Sequence, residues 1–192
     1  MRALKYAAVP LALGLMFAAG QARAITIVLG GGVAVNCYET AENGDPNEAF
    51  DICSRALRSP DISLRDKAAT YINRSVVRLR VRDYEGAILD VDQSTQRMPS
   101  LSEAYVNRGA ALINLNRPRE AVTELDRAIG MGLPKIHLAY YNRAMAKELL
   151  QDIKGAYADL RKVIEIQPDY ELAIEQLKRF SVVNGQMRMS ER

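Results

Sequence analysis

Three short stretches of this chain repeat one another. They read Tyr71-Ile72-Asn73-Arg74-Ser75, Tyr105-Val106-Asn107-Arg108-Gly109 and Tyr141-Asn142-Arg143-Ala144, the last preceded by Tyr140. The Asn-Arg pair returns after 34 residues and again after 35. A fixed period in that range is the signature of a helical solenoid, whose units bury their apolar faces only against one another. Such stacks present long concave surfaces, so the period points to recognition of another chain rather than to chemistry.

The residues ahead of the repeats read as a targeting segment. Arg2 and Lys5 make a positive start, residues 7–19 are almost wholly apolar, and Ala22-Arg23-Ala24 is a small-residue cleavage pattern. This is a secretory signal peptide over 1–24, cut after Ala24. The apolar run is shorter than the roughly 20 residues a spanning helix needs, so no stable membrane insertion is expected after cleavage. The expected location is periplasmic or secreted. Cleavage also changes the charge. The segment holds Arg2, Lys5 and Arg23 and no acid, so 26 basic and 23 acidic residues become 23 of each. Nucleic-acid binding needs a basic surplus, and the mature chain has none.

No constellation for catalysis or metal binding is visible. His137 is the one histidine, and zinc needs three or four ligands. No G-x-S-x-G, H-E-x-x-H or phosphate loop occurs, and Gly30-Gly31-Gly32 reads as a flexible spacer. The chain is therefore expected to be no enzyme and to carry no cofactor or metal. Two cysteines in an exported chain predict one disulfide, Cys37–Cys53. They lie at similar distances on either side of the turn Asn43-Gly44-Asp45-Pro46. If helices flank that turn, the two sulfurs sit at one level. A bridge there closes a loop of about 15 residues, worth around 3 kcal/mol.

From residue 63 onward the punctuation is that of alternating helices. Ser63 to Asp66 and Ser100 to Glu103 read as capping boxes. Pro99 and Pro168 stop helices, Pro118 suits a first turn, and Gly130 and Gly132 suit a helix end. Asp152 and Asp169 are expected caps. A last helix covers about 170–180, and the polar residues 183–192 are expected to form a flexible tail. No segment alternates as a strand should. The expected organisation is 1–24 signal peptide, 25–63 N-terminal segment with a disulfide-linked half repeat, 64–182 three repeats with a capping helix, and 183–192 tail.

The repeat resembles the tetratricopeptide repeat, a helix-turn-helix unit of 34 residues. That pattern has an aromatic residue at position 4, small residues at 8, 20 and 27, an apolar residue at 24 and proline at 32. Units starting at Ala68, Ser102 and His137 place Tyr71, Tyr105 and Tyr140 at position 4. They place Ser75, Gly109 and Ala144 at 8, and Ala87, Ala121 and Ala156 at 20. Departures are Arg78 and Lys147 at the usually apolar position 11, Leu133 at 32 of the second unit, and Val163 at the small position 27 of the third. Upstream, Ala49, Cys53 and Ala56 fit positions 20, 24 and 27 of a fourth, half unit. The chain is similar to small exported bacterial proteins of this type. The resemblance implies an all-α, right-handed solenoid.

In such a fold the first helix of each unit lines the concave groove. Positions 2, 5, 6, 9, 12 and 13 share one stripe by their helical spacing. The candidate peptide-binding residues on that stripe are Ile72, Asn73, Val76, Val106, Asn107, Ala110, Tyr141, Asn142 and Met145. Primary amides carry both donors and an acceptor, so Asn73, Asn107 and Asn142 can pair with N–H and C=O of one extended residue. Repeated in every unit, they would hold a backbone without reading its sequence; the alternative is packing between repeats. The arginine after each asparagine is expected to pair with Asp90, Glu124 or Asp159, which recur at a matching position. Arg74, Arg78 and Arg82 form an i, i+4 stripe expected to face solvent. The expected partner is a protein or peptide of the cell envelope; the alternative is a homo-oligomer whose groove is filled by another copy. Ile25-Thr26-Ile27-Val28-Leu29, the mature N-terminus, is strongly apolar. It can lie in the chain's own groove, enter another copy or stay disordered.

Overall fold

The computed structural model describes residues 26–29, 31–183 and 186–190. The signal-peptide residues and Ile25 lie outside them. A 3-10 turn over Gly32–Ala34 leads into α1 (Val35–Ala41) and α2 (Pro46–Arg58). Three helix pairs follow: α3 (Leu64–Arg80) with α4 (Tyr84–Arg97), α5 (Ser102–Asn114) with α6 (Pro118–Met131), and α7 (Ile136–Leu149) with α8 (Ile153–Ile166). α9 (Glu171–Leu177) and a hairpin of β1 (Phe180–Val183) and β2 (Gln186–Met189) close the described residues. Each pair packs on the next, and the first helices α1, α3, α5 and α7 touch one another in that order. The fold is the expected all-α helical repeat solenoid.

The units close because their small positions are small. Ser75, Ala87, Ala121, Ala144 and Ala156 are fully buried, and Gly109 is buried, where paired helices approach. At Gly109 a Cβ would lie 2.6 Å from Leu125 Cγ, so α5 and α6 meet too closely for any side chain. Each unit turns through a left-handed residue at its fifteenth position: Arg82 (φ 64°), Asn116 (φ 56°) and Gln151 (φ 62°). Asp83 and Asp152 then cap the second helices by accepting the N–H groups of Gly86 and Gly155, both at 3.0 Å. The turn before α2 is fixed in the same way, with Asp45 accepting from Asn47 and Glu48. Cys37 and Cys53 are bonded, tying α1 to α2.

The recurring arginine is a stacking device. Arg74 binds Asp90 of its own unit through Nε (2.9 Å) and Nη2 (2.6 Å), and Ser54 of the preceding unit at 3.1 Å. Arg143 repeats this, binding Asp159 through Nε (2.9 Å) and Nη2 (2.6 Å) and reaching back to Asp126 at 2.5 Å. Arg108 pairs with Asp92 of the preceding unit and stands 3.6 Å from Glu124. The residues at the departing position 11 join the same clusters, as Arg78 binds Asp90 at 2.9 Å and Lys147 binds Asp159 at 2.8 Å. The arginine stripe is thus no solvated face at Arg74 and Arg78, which are mostly buried and paired; only Arg82 is exposed.

Three local expectations are corrected. The N-cap of α5 is Leu101, with no side-chain cap, so the Ser100 box does not form. Tyr170 rather than Asp169 precedes α9, again without a side-chain cap. The polar end is not simply a loose tail, because residues 186–189 pair antiparallel with 180–183. Arg179 anchors that hairpin by donating to Ser190 O (3.0 Å) and to Glu148 (2.9 Å).

Candidate functional site

The concave side is built from α3, α5 and α7, and its principal polar groups are the repeated asparagines. Asn73, Asn107 and Asn142 are all fully buried. At two of them the burying element is the chain's own N-terminal segment. Asn107 accepts the Thr26 N–H through Oδ1 at 2.9 Å and donates through Nδ2 to Thr26 O at 2.8 Å. Asn73 does the same with Val28, accepting its N–H at 2.7 Å and donating to its carbonyl at 2.8 Å. Each amide satisfies both backbone groups of one residue. The two contacts are two residues apart on the strap and one repeat apart on the solenoid.

That register follows from geometry. An extended chain advances about 6.8 Å in two residues. Packed helix axes stand about 8–10 Å apart, and amides reaching inward from a concave wall converge. Residues i and i+2 of a strand also present their N–H and C=O to the same side. One rung per two residues is therefore the step an asparagine ladder imposes on an extended ligand.

The strap packs through its side chains as well. Thr26 and Val28 are only 5% and 7% exposed. Val28 joins a buried cluster with Ala69, Ile72, Val91 and Ala104. Ile27 packs against a second one, Ala41, Ala49 and Val77. Leu29 is 61% exposed, so the buried part ends there. Gly31 then donates its N–H to Asp66 at 2.8 Å, and Asp66 also takes the hydroxyl of Ser63, the α3 cap, at 2.7 Å. The Gly31 N–H, followed by Ser63, holds the Asp66 carboxyl below the usual range. Gly32 adopts a positive φ of 50°, with open space around it.

The apolar candidates are all buried in the core of the described residues. Ile72 touches the Val28 cluster, while Val106, Tyr141 and Met145 belong to the larger core shared by the second and third units. Val76 and Ala110 are fully buried on the same helices. At the far end, Tyr170 packs edge-on against Tyr141 at 5.5 Å and His137 at 5.3 Å. Burial, then Tyr141, pushes the Tyr170 hydroxyl up to about 12, and burial, then Lys135, pushes His137 down. Among the described residues no cluster of three or more His, Cys, Asp or Glu is placed to hold a metal. No described helix is long and apolar enough to cross a membrane.

Residues 102–131 and 137–170, the second and third units, match the family model of the tetratricopeptide repeat. Among curated proteins, mouse sperm-associated antigen 1 is 31% identical over 109 residues, covering 57% of this chain and 12% of that protein. ETO1-like protein 1 of Arabidopsis thaliana is 32% identical over 121 residues, covering 63% of this chain and 13% of that one. The chain thus spans about an eighth of the length of the curated relatives it matches. Among solved structures, the Arabidopsis OM64 TPR domain superposes with a TM-score of 0.57 at 21% identity, covering 61% of this chain and 96% of that one. A MamA RS-1 double mutant gives 0.58 at 17%, covering 69% and 71%. At these identities the structures support the fold alone.

Proposed function

We propose that the protein is a non-catalytic scaffold of the bacterial cell envelope that holds an extended segment of a partner protein in its concave groove. Tetratricopeptide repeats act in general as protein-binding scaffolds. The observation that carries the groove reading is the double pairing of Asn107 and Asn73 with the backbones of Thr26 and Val28. An amide placed to satisfy both groups of one extended residue serves any such residue with a free N–H. Asn142 occupies the corresponding place in the third unit and extends the ladder. Export through the 1–24 segment and the Cys37–Cys53 bond fit an oxidising compartment.

The test is affinity capture from envelope extracts, with the wild-type chain and an Asn73→Ala/Asn107→Ala variant as baits. Partners held by wild type and lost by a variant that still shows a cooperative melt support the reading. Equal capture by both removes the ladder from the function.

A further inference from the structure

We propose that residues 26–29 are both the groove's built-in competitor and the template of its ligand, an inference that rests on the binding function above. The ligand is a free, extended segment with small β-branched residues two apart and no proline at either. It enters by displacing the strap.

The chemistry of the strap's contacts defines the class. All four hydrogen bonds to the asparagines use backbone atoms, so they select conformation and not side chains. Two of the four need an N–H, which proline lacks. Selection among side chains comes from packing. Val28 is buried in a cluster with Ala69, Ile72, Val91 and Ala104, with Leu101 packed against it, so a bulky ring there has to displace packed side chains. Valine, isoleucine and threonine fit such a site and also favour extended backbone.

The same segment is built to leave. Its buried stretch is followed at once by Leu29, which is largely exposed, and by the glycine tether. The described tether is held to α3 by the Gly31 hydrogen bond to Asp66, while Gly31 O closes the turn into α1 by accepting the Ala34 N–H at 3.0 Å. The strap can therefore swing out without unwinding α1. While tethered, it competes at an effective concentration of order millimolar. A free peptide of the same sequence is at a disadvantage against it, and a partner has to offer a longer or better matched segment.

The test uses the full chain and a fluorescent synthetic peptide carrying the sequence of residues 25–29. Thr26→Pro/Val28→Pro removes both N–H donors from the strap and opens the groove. The expected result is saturable binding to this variant, at least tenfold tighter than to wild type. Prolines at the peptide's second and fourth positions abolish binding. Phenylalanines there weaken it at least tenfold, and adding Asn107→Ala to the variant does likewise. If the double variant does not fold, Val28→Pro alone, which keeps the Thr26 rung, gives the same ranking at smaller amplitude. Equal binding to wild type and variant overturns the competition, and undiminished binding of the proline or phenylalanine peptide overturns the template. A wild-type dimer that dissociates on peptide addition makes a second copy the occupant and also overturns the proposal. The probe is synthetic, so failure here leaves capture of envelope partners standing, and failure of that capture leaves this result standing.

Discussion

Asn107→Ala removes one rung and leaves its neighbours in place. Asn107 is fully buried, and its amide holds both backbone groups of Thr26, at 2.9 and 2.8 Å. Each such bond nets about 1 kcal/mol, and an orphaned buried group costs about 1–3 kcal/mol. The strap has an escape, since swinging out on its glycine tether returns Thr26 to water. The cost is therefore capped by the free energy of strap docking, and we expect a loss of about 2 kcal/mol. For a domain of this size that lowers Tm by about 4–8 °C. Local opening is the sharper readout. Exchange of the Thr26 and Val28 amides should accelerate about thirtyfold, the equivalent of 2 kcal/mol, and should stay far faster than that of amides in the middle of α5, which open only on global unfolding. Asn107→Asp should be no better, because a carboxylate cannot donate to Thr26 O and is buried as a charge. An Asn107→Ala protein with unchanged Tm and unchanged Thr26 exchange would refute the reasoning.

Lowering the pH should loosen the strap's tether first. The folded Asp66 carboxyl is depressed by Gly31 and then Ser63, so its contribution is intact above about pH 4 and fades as the pH falls through its folded value. Gly31 amide exchange, corrected for intrinsic rates, should rise in that window and be pH-independent in Asp66→Asn. Gly109→Ala should cost about 1–3 kcal/mol in chemical denaturation, because its Cβ would fall 2.6 Å from the buried Leu125 Cγ. Arg82→Gly and Gln151→Gly should each raise stability by up to about 1 kcal/mol, since both residues sit in left-handed backbone that glycine enters freely; a loss at both sites contradicts the turn assignment. Reducing the Cys37–Cys53 bond should cost about 3 kcal/mol and accelerate exchange at the strap, whose Ile27 packs on Ala41 of α1.

Much of this was legible in the chain because the repeat writes the same physics three times. Period, capping signals and small positions located the three helix pairs after residue 63, and recurrence tied Arg74 and Arg143 to their acids, whereas Arg108 takes Asp92 of the preceding unit and stands 3.6 Å from Glu124. The ion clusters were only half visible. Arg78 and Lys147 looked like faults at an apolar position, yet each is a second cation on a buried carboxylate, a partnership that only the packed unit reveals. The Ser100 cap failed because Ser102, two residues on, already lies within α5. The terminal hairpin left little trace in the chain, because its paired runs, 180–183 and 186–189, are four residues each and too short to show a strand period. The asparagines could be read as a ladder from their chemistry and spacing. Which chain stands on it could not, because an apolar five-residue segment carries no record of the groove it fits. The contacts of Thr26 and Val28 supply that.

The most direct measurement of groove binding is site-specific photocrosslinking in cells that produce the protein. One reactive side chain replaces Asn114, half-buried on the concave stripe of α5, and a second replaces Leu89, which is 64% exposed on α4. Adducts to another envelope protein from position 114, mapped to an extended segment and lost with Asn107→Ala, are the predicted result. Adducts that arise only from position 89, or that persist from position 114 without the Asn107 amide, would contradict the account.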